Sequence, residues 1–86
     1  MQYDITDSRN VILLIQKYLL ELAYSYEWGI PVSIDGIYDE RTRSAIRALQ
    51  ERYGLPVTGI VDKRTYYLLY DKYLEALSRN RTVVPN

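Results

Sequence analysis

Residues Ile34 to Thr42 read IDGIYDERT, and residues Val57 to Thr65 read VTGIVDKRT. Five of the last eight positions coincide, namely Gly36/Gly59, Ile37/Ile60, Asp39/Asp62, Arg41/Arg64 and Thr42/Thr65. Each copy reads as a turn followed by the start of a helix. The glycine permits positive φ, the next aliphatic residue is expected to plug the core, and the aspartate accepts from free helix amides. The threonine then falls in the first helical turn. Asp35 shapes the first turn, and Gly36, Asp39, Thr42, Gly59, Asp62 and Thr65 are assigned to architecture. With two copies only, a leading helix completing a three-helix unit is a better reading than a stacked solenoid.

Helical periodicity supplies that leading helix. From Asn10 to about Tyr26, Val11, Ile15, Tyr18, Leu22 and Tyr26 form one stripe, flanked by Ile12 and Leu19, with Asp7 and Ser8 as candidate caps. Leu13, Leu20 and Tyr24 fall on the opposite side, so this helix is apolar on two faces. A second helix is expected from Glu40 to Tyr53, with Ala45, Ile46, Leu49 and Tyr53 inward. Gly54 stops it in the left-handed conformation and Pro56 prevents continuation. Asp62 caps a third helix reaching about Ser78. The sequence therefore predicts an all-α, compact three-helix bundle. A polar lead covers residues 1–9, the domain 10–78, and a tail or linker stub 79–86.

Composition removes several function classes. The 86 residues include no cysteine and no histidine, so disulfides, thiolate sites and histidine metal sites are excluded by inventory. Eleven basic and eleven acidic residues cancel, and the arginines are interleaved with acids, which argues against nucleic acid as a partner. The run VILLI followed by YLLELAY is interrupted by Gln16, Lys17 and Glu21, so a membrane span is not expected. The opening MQYDITDSRN lacks the basic start and apolar core of a signal peptide. No cofactor is expected. For a glycan hydrolase, two carboxylates must flank a cleft, and Asp35, Asp39 and Glu40 are the only acidic cluster. Turn shaping and helix starting explain all three, and no serine has a histidine partner, so no catalytic residue is assigned.

The segments VILLIQKYL and DGIYDERTRSAIRALQERYGLPVTGIVDKRTYYLL resemble the peptidoglycan-binding domain appended to bacterial and phage cell-wall hydrolases, amidases and spore-cortex enzymes. The shared order is a leading glutamine in the first helix, DGxYxxxT, an apolar-Gln pair, GLPVTG and a second DxxT. The family usually has glycine where Asp39 stands and phenylalanine where Leu49 stands. The resemblance implies a non-catalytic module that holds its host near murein, in the cell wall or envelope.

Peptidoglycan offers sugar faces that stack on aromatic rings and stem carboxylates that pair with arginine. Trp28 and Tyr38 flank the first turn, and Arg43 and Arg47 lie one helical turn apart. These four are the candidate ligand-binding residues, as an aromatic floor with a carboxylate clamp. The ten tyrosines point to a second possibility. Tyr66, Tyr70, Tyr73 and Leu77 form a narrow stripe on the third helix. With Leu13, Leu20 and Tyr24 they are candidates for contact with a second copy or another protein in a phage tail, spore or envelope-associated assembly.

Overall fold

The computed structural model describes residues 8–80. Three helices account for most of them: α1 (Arg9–Ser25), α2 (Glu40–Arg52) and α3 (Lys63–Asn80). The all-α expectation holds, with boundaries within a residue or two of the expected ones. Ser8 occupies the N-cap position of α1 in extended conformation without a side-chain cap bond. Asp7, the other candidate cap, and residues 81–86 of the expected tail lie outside the described residues.

Helix ends follow from local chemistry. The Asp39 carboxylate accepts from the Thr42 amide at 3.0 Å, and Asp62 accepts from the Thr65 amide at 2.9 Å. At the end of α2 the Leu55 amide donates to the Gln50 carbonyl at 2.9 Å, closing over Gly54 at φ +76°. This crossed-over ending satisfies carbonyls the helix leaves free. After α1 the chain folds back so closely that a Cβ on Gly29 would lie 2.7 Å from the Ala23 Cα. Only glycine fits there, because the obstacle is helix backbone.

The buried centre combines Ile15, Tyr18, Leu19 and Leu22 of α1, Ala45, Ile46 and Leu49 of α2, Leu69 and Ala76 of α3, and loop residues Val32 and Val61. Helices α1 and α3 run in the same direction. Tyr18 meets Tyr66, Tyr70 and Tyr73 at ring-centroid distances of 6.3, 5.6 and 4.4 Å, and Tyr26, two turns later, meets Glu75 and Arg79. In a chain without phenylalanine these tyrosines supply the aromatic part of the α1–α3 seam.

Two expectations need correction. Ile37 does not plug the core but stands 58% exposed, and Ile60 is half-buried. The space beneath each turn is taken by a glutamine instead. Nor is the second apolar face of α1 continuous: Leu20 packs against the core, Leu13 is half-buried, and only Tyr24 is largely exposed.

Those glutamines reveal how far the repeat extends. Gln16, which interrupts the apolar run in the sequence, is fully buried. Its Oε1 accepts from the Asp35 and Gly36 amides at 3.0 and 2.8 Å. Its Nε2 donates to Asp35 Oδ1, the Ile37 carbonyl and Thr42 Oγ1 at 3.1, 2.8 and 3.0 Å. Gln50 does the same one unit later. Its Oε1 accepts from Thr58 and Gly59 at 3.0 and 2.9 Å, and its Nε2 donates to Thr58 Oγ1, the Ile60 carbonyl and Thr65 Oγ1 at 3.3, 3.0 and 3.1 Å. Each amide offers two hydrogens to three acceptors, so one donor contact in each set is shared. Among the described residues no buried side-chain nitrogen or oxygen is left without a partner.

The helical halves match too, as RNVILLIQ in α1 and RSAIRALQ in α2. Arg9 packs over Gly36, as Arg43 packs over Gly59, with a Cβ on either glycine falling 2.8 Å from the arginine. One unit is therefore an arginine-to-glutamine helical segment that staples a downstream turn and so fixes where the next helix starts. The loop between glutamine and glycine is longer in the first unit, which is why the two helical halves and the two turns repeat at different spacings.

Candidate functional site

Three of the four candidate ligand-binding residues meet at the second turn. Tyr38 donates its hydroxyl to the Gly59 carbonyl at 2.7 Å, and the Arg43 guanidinium lies 5.2 Å from the Tyr38 ring centre. Arg43 and Arg47 lie against Gly59, which has no Cβ to hold them off. Both also reach Glu40: Arg43 at 3.4 Å, and Arg47 through a hydrogen bond, with a further contact to Ser44 Oγ at 3.3 Å. The Arg47 hydrogen bond and charge hold the Glu40 carboxyl below its usual range. The two guanidiniums thus converge on one carboxylate at the surface, with the Tyr38 ring beside them.

Trp28 is placed elsewhere. Its ring stacks on Tyr26 with centroids 5.3 Å apart and 17° between planes, and meets Tyr53 edge-on at 5.7 Å. It lines two hollows open to solvent. One, of about 470 Å³, is bounded by Ser25, Tyr26, Glu27, Trp28, Arg52 and Arg79; the other, of about 440 Å³, by Trp28, Ala48, Glu51 and Arg52. Tyr38, Arg43 and Arg47 line neither. The expected single floor-and-clamp site is therefore two separate surfaces.

The acidic cluster has structural employment throughout. Asp35 accepts from Gln16 and from the Ile37 amide at 3.0 Å. Asp39 accepts from the Thr42 amide and hydroxyl, bonds that lower its pKa, while the Thr42 hydroxyl accepts in turn from Gln16. Asp62 is held low in the same way by Thr65. General-acid catalysis needs the opposite, a carboxyl raised toward neutrality. Among the described residues no group of carboxylates is arranged to hold a metal ion.

A family model described as "Putative peptidoglycan binding domain" matches residues 8–69. The chain belongs to that family. The match takes in both glutamine-stapled units of this peptidoglycan-binding domain and ends inside α3. No curated protein and no solved structure matches the chain. Among the described residues, no helix is long and apolar enough to cross a membrane.

The remaining candidates lie on the seam or at the surface. Tyr66 and Tyr73 pack against the core, whereas Tyr70 is 42% exposed. Two residues that the sequence did not single out, Tyr67 and Leu74, are exposed on the same face of α3 as Tyr70. Arg52, Arg79 and Tyr26 were also missed as neighbours of Trp28. Arg52 and Arg79 each sit in the last turn of a helix, where an arginine ordinarily reads as compensation for the helix dipole.

Proposed function

We propose that this chain is a non-catalytic peptidoglycan-binding module that holds its host protein, or an assembly containing it, at the cell wall. Family membership over residues 8–69 carries the reading. The structural use of Asp35, Asp39, Glu40 and Asp62 supports the absence of catalysis, since each acid is engaged in a turn, a cap or an ion pair. In this reading Arg43 and Arg47, with Tyr38, take a stem-peptide carboxylate in place of Glu40. The exposed ion pairs they would exchange are weak, so the substitution costs little. Retention on insoluble sacculi should fall in the Arg43→Ala/Arg47→Ala variant while its circular dichroism stays unchanged. Undiminished retention removes the clamp, and release of dye from labelled murein by the chain would contradict the non-catalytic assignment.

A second reading, contact between copies of this chain within an assembly, is favoured by one observation: Tyr67, Tyr70 and Leu74 are 61%, 42% and 46% exposed on one face of α3. A dimeric mass in sedimentation, lost in Tyr70→Glu, is the outcome that reading requires.

A further inference from the structure

The paired hollows around Trp28 lie where helix ends gather. Ser25 and Tyr26 close α1, Arg52 closes α2, and Arg79 lies in the last turn of α3. Helix C-termini present the negative end of the macrodipole, so the backbone here disfavours an anion. The side chains do not reverse that balance. Arg52 and Arg79 bring two positive charges, Glu27 and Glu51 bring two negative ones, and Glu75 stands nearby on the Tyr26 hydroxyl at 3.1 Å. Arg79 is moreover drawn over the Tyr26 ring, 4.9 Å from its centre. The walls thus offer hydrogen-bond donors and acceptors in near balance, with little net field for a carboxylate.

What they do offer is an aromatic platform. The indole stacks on Tyr26 and is braced edge-on by Tyr53, whose own ring carries the Lys72 ammonium 4.7 Å from its centre. This holds the indole in one orientation at the border of the two hollows, which share Trp28 and Arg52. Both hollows, of about 470 and 440 Å³, are open to solvent, a shape that suits a polymer crossing the surface rather than an enclosed small molecule. The indole borders both hollows among arginine, glutamate and serine side chains, a lining that matches a neutral saccharide. The apolar face of a pyranose covers the ring, while hydroxyl and acetamido groups take both donors and acceptors.

Building on the peptidoglycan reading, we propose that the Trp28 hollows bind the glycan strand through uncharged N-acetylated amino-sugar units, and that the stem peptide is not the group recognised there. Trp28 is the stacking residue, and Arg52, shared by both hollows, donates to successive sugars. Arg79 lies beyond the residues matched by the family, so the seat includes a group supplied by this chain's own α3 extension.

The chain has a single tryptophan, so its fluorescence reports directly on this surface. Tryptophan emission should change saturably when the protein is titrated with N,N′,N″-triacetylchitotriose. It should not change with a free stem tetrapeptide. Arg52→Ala, which alters an exposed side chain and leaves the fold intact by circular dichroism, should weaken the saccharide response at least tenfold. Trp28→Phe, monitored by amide chemical shifts, should retain part of the affinity because a stacking ring remains. Retention on sacculi is measured on the same samples. No saccharide response from a protein that sacculi retain overturns the glycan seat but leaves the wall-binding reading standing; no response and no retention overturns both. A response to the tetrapeptide alone, or an Arg52→Ala titration identical to wild type, also overturns the assignment.

Discussion

Replacing Gln50 with leucine tests the stapled turn at its centre. The change keeps side-chain size but removes both the acceptor and the donors. The Gly59 amide, which Gln50 meets at 2.9 Å, is then enclosed without a partner, while the Ile60 carbonyl loses its 3.0 Å bond to Gln50 and keeps the Thr58 hydroxyl at 3.4 Å. Thr58, being exposed, recovers water for its own amide. Stranding the amide costs about 1–3 kcal/mol, and loss of the carbonyl's bond to Gln50 about 0.5–1.5 kcal/mol. Added apolar burial by leucine offsets about 1–2 kcal/mol of that, which leaves a central expectation of about 1.5 kcal/mol. Total stability for a chain of this length is on the order of 4–13 kcal/mol. The loss should therefore appear as a fall in Tm of about 6–12 °C, from roughly 4–8 °C per kcal/mol in a domain this small. Urea unfolding followed by circular dichroism gives the free energy directly. Thr65→Val should be partly redundant with Gln50→Leu, because Thr65 Oγ1 has already lost its donor at 3.1 Å, and the double variant should cost at least about 0.5 kcal/mol less than the sum. A Gln50→Leu protein within about 0.5 kcal/mol of wild type, inside the range of ordinary surface changes, would mean that the Gln50 amide does not hold the turn.

Gly36→Val should destabilise the fold by more than about 1 kcal/mol, since a β-branched residue is strained at φ +77° and its Cβ would press on Arg9; an unchanged melting temperature would contradict the turn geometry. Asp39 and Asp62 are held low mainly by threonine amides and Glu40 by Arg47, so the unfolded chain takes up protons first as the pH falls. Their contribution is present above about pH 4 and is lost as the pH falls through the lowered folded values; urea midpoints between pH 5 and 2 should show a shallower decline in Asp39→Asn/Asp62→Asn. Burial, and then the neighbouring tyrosines, raise Tyr18 to about 12 in the folded state. Its contribution is complete below about pH 10 and disappears as the pH rises toward 12, and Tyr18→Phe should flatten that alkaline limb in a pH series of unfolding curves.

The turns and caps were legible because they are local. A glycine, an aspartate and a threonine at fixed spacing dictate their own geometry, and Gly36, Gly59, Asp39 and Asp62 take the conformations and bonds expected of them. The glutamines were not, because a glutamine in an apolar run reads as a solvated interruption until a partner turn nineteen residues away is known to face it. The RNVILLIQ and RSAIRALQ match was the available signal, hidden by the unequal loops between each helical half and its turn. Ile37 was misplaced for the same reason, since its inward space belongs to Gln16. The binding candidates were half legible. Spacing within α2 placed Arg43 and Arg47 together, but nothing local could show that Trp28 would pack with Tyr26 and Tyr53 beside Arg52 and Arg79.

Wall attachment is tested most directly by binding of the purified domain to insoluble murein sacculi over a range of protein concentrations, with sedimentation giving its mass in the same samples. A wall-binding module gives saturable retention of a monomer, abolished when the sacculi are predigested to soluble fragments. A protein that stays in the supernatant at every concentration would contradict wall attachment.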